Sequence, residues 1–425
     1  MNISPKGVID LELVKYISAN DVNATDYLLP NDVLFNNTNS PVWVGKTALI
    51  TLDAGWLFSN HMTRIRVDPT HVSPKWLATW LHWLFRQGFF QANCKNHVNQ
   101  ASINAEFLKR ETPILLAPLP IQQQIVDRLD AHFSRLDAAE AALRRVQANL
   151  KRYRAAVLRA ACSGQLVATE AAVARAEGRS YEPAAVLLAR VLAERRTAWQ
   201  KANPGKSYKE PRAPATEGLA ALPEGWVWAT VEQVGEVSGG ITKNARRGAF
   251  ELNLPYLRVA NVYSDRLDLG EVSTIGMQPQ ELERVLLRKD DLLIVEGNGS
   301  LEQIGRVALW DAQIEPCVHQ NHLIKVRTTA VVYSRYLLYW LLSPGGRVQI
   351  VDTASSTSGL HTLSLSKVND LVVPIPPLAE QVRIVNEVQE RMTVLNAASV
   401  TGDMAVKKQA ALRQAVLGEA FGGTR

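Results

Sequence analysis

Apolar residues step by four and three along one stretch of the chain: Ile125, Leu129, His132, Leu136, Ala139, Leu143, Val146, Leu150, Tyr153, Val157 and Ala160. An a/d seam of this kind, with only His132 departing from it, predicts a coiled-coil helix from about 121 to 161. At ~1.5 Å per residue that helix is about 60 Å long. A patchier seam predicts a second helix from about 378 to 420, which Gly402-Asp403 is expected to break or stutter. Ahead of each seam, short apolar runs such as Asp291–Val295 and His322–Arg327, bounded by Gly/Asn/Ser turns, predict strands. Trp-rich amphipathic stretches near 74–87 and 334–343 predict helices. Between the two halves, an exposed linker from about 165 to 222 is expected to hold a helix from Pro183 to Gln200. It continues as a Pro/Lys-rich run, Ala202–Pro214, that cannot prolong a helix.

The order of these elements occurs twice, with a period of about 260 residues. Asn39–Ile50 lies over Gly299–Trp310, matching at Ser40, Gly45, Ala48 and Leu49. Asn60-His61 falls on Asn321-His322, Pro118-Leu119-Pro120 on Pro374-Ile375-Pro376, and Arg154–Leu158 on Arg413–Leu417. Matches in one order over so long a span indicate a tandem duplication. The period is too long for a solenoid, so each copy is a mixed domain with a long helix appended. Met1-Asn2-Ile3 falls over Ala260-Asn261-Val262, so the first domain is expected to be abridged by about 35 residues relative to the second, which opens at Leu222-Pro-Glu-Gly-Trp226.

Composition narrows the class. The 425 residues are 47% hydrophobic and 21% charged with mean hydropathy −0.07, as in globular proteins rather than disordered ones. No apolar run is long enough for a membrane span, and the first residues lack a signal-peptide layout, so a cytoplasmic location is expected. Three widely spaced cysteines, Cys94, Cys162 and Cys317, read as free thiols. The net charge is +6, and its excess is concentrated: residues 120–212 hold 17 Lys/Arg against 9 Asp/Glu, whereas 1–119 hold 10 against 9 and 213–425 hold 20 against 23. The basic surface therefore belongs to the helical middle, including Arg144-Arg145 and Lys151-Arg152, and either meets an acidic partner or is a solvated helix face.

Catalytic chemistry is not visible. Ser40–Thr47 approximates a phosphate-binding loop, but Ser40 replaces its first glycine and a strand-like run follows in place of a helix. Cys317-x-His319-x-x-His322 lacks a second ligand pair, and Asp290-Asp291 with Glu296 reads as a turn entering a strand rather than a metal nuclease site. Asn60-His61 and Asn321-His322 stand where turns feed strands, which suits either nucleic-acid contact or capping of the turn. The glycine-rich loop and Asn-Pro-Pro-aromatic string of adenine methyltransferases are absent.

The strings Pro374-Ile-Pro-Pro-Leu-Ala-Glu-Gln381, Leu222-Pro-Glu-Gly-Trp226, Ala415-Val-Leu417 and Ala156-Val-Leu158, in this duplicated order, resemble the specificity subunit of Type I restriction-modification systems. The resemblance implies an α+β protein: two mixed α/β target-recognition domains joined by two long helices that form an antiparallel coiled coil, with the first domain truncated at its N-terminus. The corresponding spans are 1–119 and 223–377 for the domains, 120–164 and 378–425 for the helices, and 165–222 for the linker. It also implies a non-catalytic subunit without cofactor or metal, which binds a bipartite site in double-stranded DNA. Its other implied partners are two methyltransferase subunits docked on the helices and a restriction/translocase subunit, with no membrane. A helical spacer of about 60 Å matches roughly 18 base pairs at 3.4 Å each.

Polar side chains on domain loops are the candidates for DNA contact, because Asn and Gln suit adenine, and Arg and Lys suit guanine. In the first copy they are Asn36, Asn37, Asn39, Lys95, Asn99 and Gln100. In the second they are Thr242, Lys243, Arg246 and Arg247, then Asn298 and Ser300, then Ser358 and His361. A truncated or silent cassette acting only as a structural partner is the alternative, and a self-sufficient nuclease is a third class.

Overall fold

The computed structural model describes residues 2–12, 14–18, 27–53, 55–98, 100–357 and 359–422. The chain divides into two compact units, Met1–Gln147 with Val400–Arg425, and Ala148–Ser399. Each contains one globular part and portions of both long helices.

The first unit is organised by an antiparallel sheet in the order Thr47–Leu49, Val33–Asn36, Met62–Ile65. The helix Pro74–Arg86 starts with Pro in its first turn and buries Trp76, Leu77, Trp80, Leu81 and Leu84, the three-and-four spacing of one helical face. The second unit repeats the plan: Val307–Leu309, Leu292–Val295, Leu323–Thr328, with Gly235–Gly239 as a fourth strand. Its helix Ser334–Leu342 buries Tyr336, Leu337, Trp340 and Leu341. The repeat glycines Gly45 and Gly305 have φ of +93° and +63°. A Cβ on them would meet the Phe90 ring at 2.4 Å or Ile350 at 2.6 Å, so both packing space and backbone hand require glycine.

Two duplicated features brace each unit, one within its sheet and one at the start of its long helix. Asp32 accepts both Arg66 Nε (2.6 Å) and Nη2 (3.0 Å) and the Leu29 amide; Asp291 accepts Arg327 Nε (2.8 Å) and Nη2 (2.7 Å) and the Arg288 amide. Asp291, one of the carboxylates weighed and rejected as a metal ligand, is thus half of a duplicated bidentate pair at a strand entry. Among the described residues no cluster of three His, Cys, Asp or Glu side chains is placed to hold a metal. At the foot of each long helix a buried glutamine completes the second feature. Gln122 donates to the His71 and Ala117 carbonyls and accepts the Ser73 amide; Gln381 donates to Val331 and Pro376 and accepts the Tyr333 amide.

The long helices run Leu119–Ala161 and Leu378–Phe421. In the first unit Gln409 donates to the Leu136 carbonyl, Arg413 pairs with Asp137 (2.7 Å), and Gln147 donates to Asp403 (2.8 Å). One number rises as the other falls, so the pairing is antiparallel. In the second unit Arg154 donates to Asn396 and Arg391 to the Tyr153 hydroxyl (3.4 Å).

Three expectations are corrected. The second helix is unbroken through Gly402, which is buried in the seam with Gln147 Cγ 3.9 Å from where its Cβ would be. A small residue admits the long amide of the facing helix there. The seam of the first helix keeps Leu129, Leu136, Leu143, Leu150 and Val157, but its other row is Val126, Phe133, Glu140, Gln147 and Ala161; His132, Ala139, Val146 and Tyr153 are exposed. Hydrophobicity alone chose the wrong flank of the Leu row, because the covered flank uses Phe133 under Arg413 (4.4 Å), Gln147 reaching Asp403 of the other helix, and Glu140 paired with Lys6. The linker is only partly exposed. Its helices Glu170–Glu177 and Ala184–Ala202 send Ala171, Ala174, Leu187, Leu188 and Val191 inward, the last three joining Trp226 in the core.

Replacing Gln381 by Ala strands one amide and two carbonyls in a buried site, so we expect urea denaturation to show a loss of about 3 kcal/mol. A change under about 0.5 kcal/mol would mean that water substitutes for the side chain.

Candidate nucleic-acid interface

Backbone bonds bring the polar loops of the second unit to one end of its sheet. The Asn321 amide donates to the Ile241 carbonyl (3.0 Å), the Glu296 amide to His322 (3.0 Å), and the Leu363 amide to Glu296 (2.7 Å). Loops following Gly239-Gly240, preceding Leu323–Thr328 and flanking Leu360–Thr362 therefore emerge side by side. Gly240 permits this: a Cβ there would lie 2.2 Å from the His319 carbonyl oxygen. The first unit matches, with the Asn37 and Thr38 amides donating to His61 (3.0 and 3.3 Å) and Ile103 to Asn37 (2.9 Å).

At this end each unit carries a small three-stranded sheet that the sequence pattern did not announce. In the first unit the order is Thr38–Asn39, Gln100–Ser102, Lys95–His97; in the second, Gly297–Asn298, Leu360–Thr362, Ser355–Thr357. The strands are too short and polar to show a period of two, which is why only their loops were singled out. His361 pairs in register with Asn298 on one side and Ser356 on the other. Asn39 pairs with Ala101, which faces Asn96.

The candidates separate by what their side chains already do. Asn36 is fully buried; its amide donates to the Thr38 and His61 carbonyls, and its oxygen accepts Asn39 Nδ2 (2.8 Å), so it shapes the turn and faces no ligand. Asn37 is committed to the Asn60 carbonyl and Thr63 hydroxyl. Asn39 and Asn298 accept the Ser40 and Ser300 amides, 2.8 and 3.0 Å. Ser300 is exposed and accepts the Glu302 amide. Arg247 is withdrawn from the candidates: it binds Glu281 through two nitrogens (2.9 and 3.0 Å) and the Thr242 and Gly276 carbonyls, and clamps its own loop. Thr242, Lys243 and Arg246 are exposed on that loop, as are Lys95 and Gln100 on their hairpin, and His361 is half-buried. Asn99 and Ser358 lie outside the described residues.

Asn96 and His97, within the Lys95–Gln100 loop, are exposed beside Lys95; sequence reasoning passed over the cation-aromatic stack of Tyr263 with Arg266 (4.5 Å) and Arg306 (5.3 Å). Arg306 falls over Lys46, which stands 5.8 Å from the Trp43 ring, so the repeat was an available signal. Lys46 itself is buried with its amine on the Ile3 carbonyl, and Thr47–Leu49 is a strand, as expected for a hairpin rather than a phosphate loop. The Asn-His pairs cap turns through their backbones, while the His61 ring is exposed and His322 Nδ1 lies 2.9 Å from Glu296. On the first long helix Arg145, Lys151, Arg152 and Arg159 are exposed.

Behind the loops, His319 is fully buried with Nδ1 on the Val285 carbonyl (3.0 Å), and burial, then Lys325, hold its pKa down at about 3. Lys325 donates to the Arg284 (2.8 Å) and Leu286 (3.3 Å) carbonyls; burial first, then Arg327, lowers its pKa to about 8. Buried Cys317 is pushed up to about 12 by burial, so the Cys317/His319 pair packs the interior instead of binding a ligand.

A family model described as the Type I restriction modification DNA specificity domain matches residues 10–146 and 223–390. The Type I restriction enzyme EcoKI specificity subunit of Escherichia coli K12 is 26% identical over 311 residues, 73% of this chain and 57% of that protein. The StySPI specificity subunit of Salmonella potsdam is 22% identical over 422 residues, 98% of this chain and 80% of that one. The chain thus spans little more than half the length of the first relative. Among solved structures, a chain from work on complex assembly and conformational transition of the type I R-M system aligns with TM-score 0.63 at 19% identity, covering 93% of this chain and 82% of its own. The HsdS subunit of Thermoanaerobacter tengcongensis aligns with TM-score 0.50 at 17% identity, covering 99% and 88%.

The Lys325 shift has a readable sign. Its folded pKa of about 8 lies below the ordinary 10.5, so between these values the unfolded chain binds more protons and stability rises with pH. Denaturation midpoints from pH 7.5 to 10 are expected to climb more steeply for the natural protein than for Lys325→Met; parallel curves would refute the shift.

Proposed function

The chain belongs to the Type I restriction-modification DNA specificity family, and on that premise we propose that it reads a bipartite DNA target, one half-site with each unit. In this reading it performs no chemistry itself and directs methyltransferase and restriction/translocase subunits to the site. The observation that carries the reading is the duplicated polar three-stranded sheet, held at the same end of the same scaffold in both units.

The division of labour follows from the side chains. Lys95, Gln100, Lys243, Arg246, Asn298 and His361 are the proposed DNA contacts, together with Asn99 and Ser358, which lie outside the described residues. Lys243 and Arg246, on an exposed loop without an ion pair among the described residues, suit phosphate or guanine. The globular parts carry no large basic excess, so affinity depends on partner subunits for much of the phosphate contact. Exposed apolar side chains on the helices offer such partners a surface: Val146, Met404 and Leu412 in the first unit, and Tyr153 and Val394 in the second. Among the described residues no helix is long and apolar enough to cross a membrane. We place the protein in the cytoplasm with its DNA.

With its cognate methyltransferase subunits, the purified chain is expected to direct methylation to a split sequence; methylation without sequence preference, or none, would end the proposal. The double variant Lys243→Ala/Arg246→Ala should weaken DNA binding and flatten the log-log salt dependence by up to about 2, without loss of stability. Arg247→Ala should instead cost about 2 kcal/mol in denaturation.

A further inference from the structure

At one place in the candidate interface the two units carry different chemistry on the same main chain. The amides of Asn37 and Glu296 each donate to a histidine carbonyl, His61 and His322, at 3.0 Å, and their carbonyls accept the Ile103 (2.9 Å) and Leu363 (2.7 Å) amides. Asn37 then spends its side chain on the fold. It donates to the Asn60 carbonyl and the Thr63 hydroxyl and accepts the Thr38 hydroxyl. The carboxylate of Glu296 has no proton to donate, and Ile324 stands in the place of Thr63.

The Glu296 side chain turns instead to His322, whose Nδ1 lies 2.9 Å from Oε2, and it has no other partner among the described residues. The Glu296 side chain is 34% exposed and that of His322 57%. Both stand where the reading elements converge. Glu296 directly precedes Gly297–Asn298, which pairs with Leu360–Thr362, and the loop of Lys243 and Arg246 starts beside Asn321. A carboxylate there opposes phosphate binding, and a part-exposed pair of this kind stabilises a fold little. Neither the turn nor the phosphate backbone accounts for it, whereas a base edge does.

We propose, resting on the DNA-reading function above, that Glu296 selects a cytosine in the half-site of the second unit by accepting its exocyclic amine, with His322 as the positioning residue. In the major groove cytosine presents only a donor, N4. Adenine sets its N6 donor beside the N7 acceptor, guanine presents two acceptors, and thymine an acceptor and a methyl group. Cytosine is therefore the base that offers a carboxylate nothing to repel it. Because the carboxylate only accepts, His322 donates from Nδ1; this fixes Oε2 and leaves Oε1 without a partner among the described residues.

The full chain with its cognate methyltransferase subunits is tested on unmethylated genomic DNA, the modified sites being mapped by sequencing. The natural protein is expected to require a G·C pair at the position Glu296 reads. Glu296→Gln, whose amide sets a donor beside an acceptor to match adenine, should lower that preference about tenfold or more and admit A·T there, with every other position unchanged. His322→Ala should relax the same position alone, and His322→Asn, which keeps a donor, should restore part of the preference. Denaturation midpoints should stay in place for all three. Unchanged sites for Glu296→Gln, or a loss spread evenly over all positions, would overturn this inference and leave the DNA-reading proposal standing. Undirected methylation by the natural protein would end both.

Discussion

Two buried amides set the direction in which everything else extends. Gln122 and Gln381 each satisfy three backbone groups where the sheet ends and a long helix begins. A helix start leaves amides and neighbouring loop carbonyls without partners, and stranding them in an apolar interior costs more than any nearby side-chain contact returns. Once those groups are satisfied by one side chain, the first turn of the helix has little freedom to pivot against its domain. Leu, Glu or Ala at the same place would leave the junction hydrated and loose.

A second pair of constraints keeps the sheets from drifting. Asp32 with Arg66 and Asp291 with Arg327 are bidentate, with each carboxylate almost fully buried and each also accepting a turn amide. Burial pairs of this geometry contribute less to net stability than to choosing one arrangement, since a displaced partner would leave an uncompensated charge. Their duplication argues that the turn geometry, rather than any chemistry, is what those acidic residues maintain.

Much of this was legible in the residues. The tandem plan, both long helices, the Trp-rich helices and the strands at Leu292–Val295 and Leu323–Thr328 follow from periodicity and repetition, because those elements are long or strongly apolar. What escaped is physically different. The seam register depended on Phe133 and Gln147, whose contacts come from the facing helix, and on Glu140, which binds Lys6 and Arg144, rather than on local hydrophobicity. The linker helices reveal their inward face only against Trp226, far along the chain. At the candidate interface, Asn36 and Arg247 look like ideal readers by residue type, yet one is buried in a turn and the other spent on Glu281. Side-chain commitment of that kind is a tertiary fact.

The small three-stranded sheets pair through their main chains, with Ala101 anchored in the core, while Lys95, Asn96, His97 and Gln100 are exposed on theirs. Substitution at such positions moves stability by only a few tenths of a kcal/mol. New recognition can therefore arise by drift or by exchange of short surface segments, with the glutamine joint and the Asp-Arg pairs left untouched. In the proposed reading, selectivity carried by such side chains is thermodynamically decoupled from folding, so it can change without passing through unfolded intermediates.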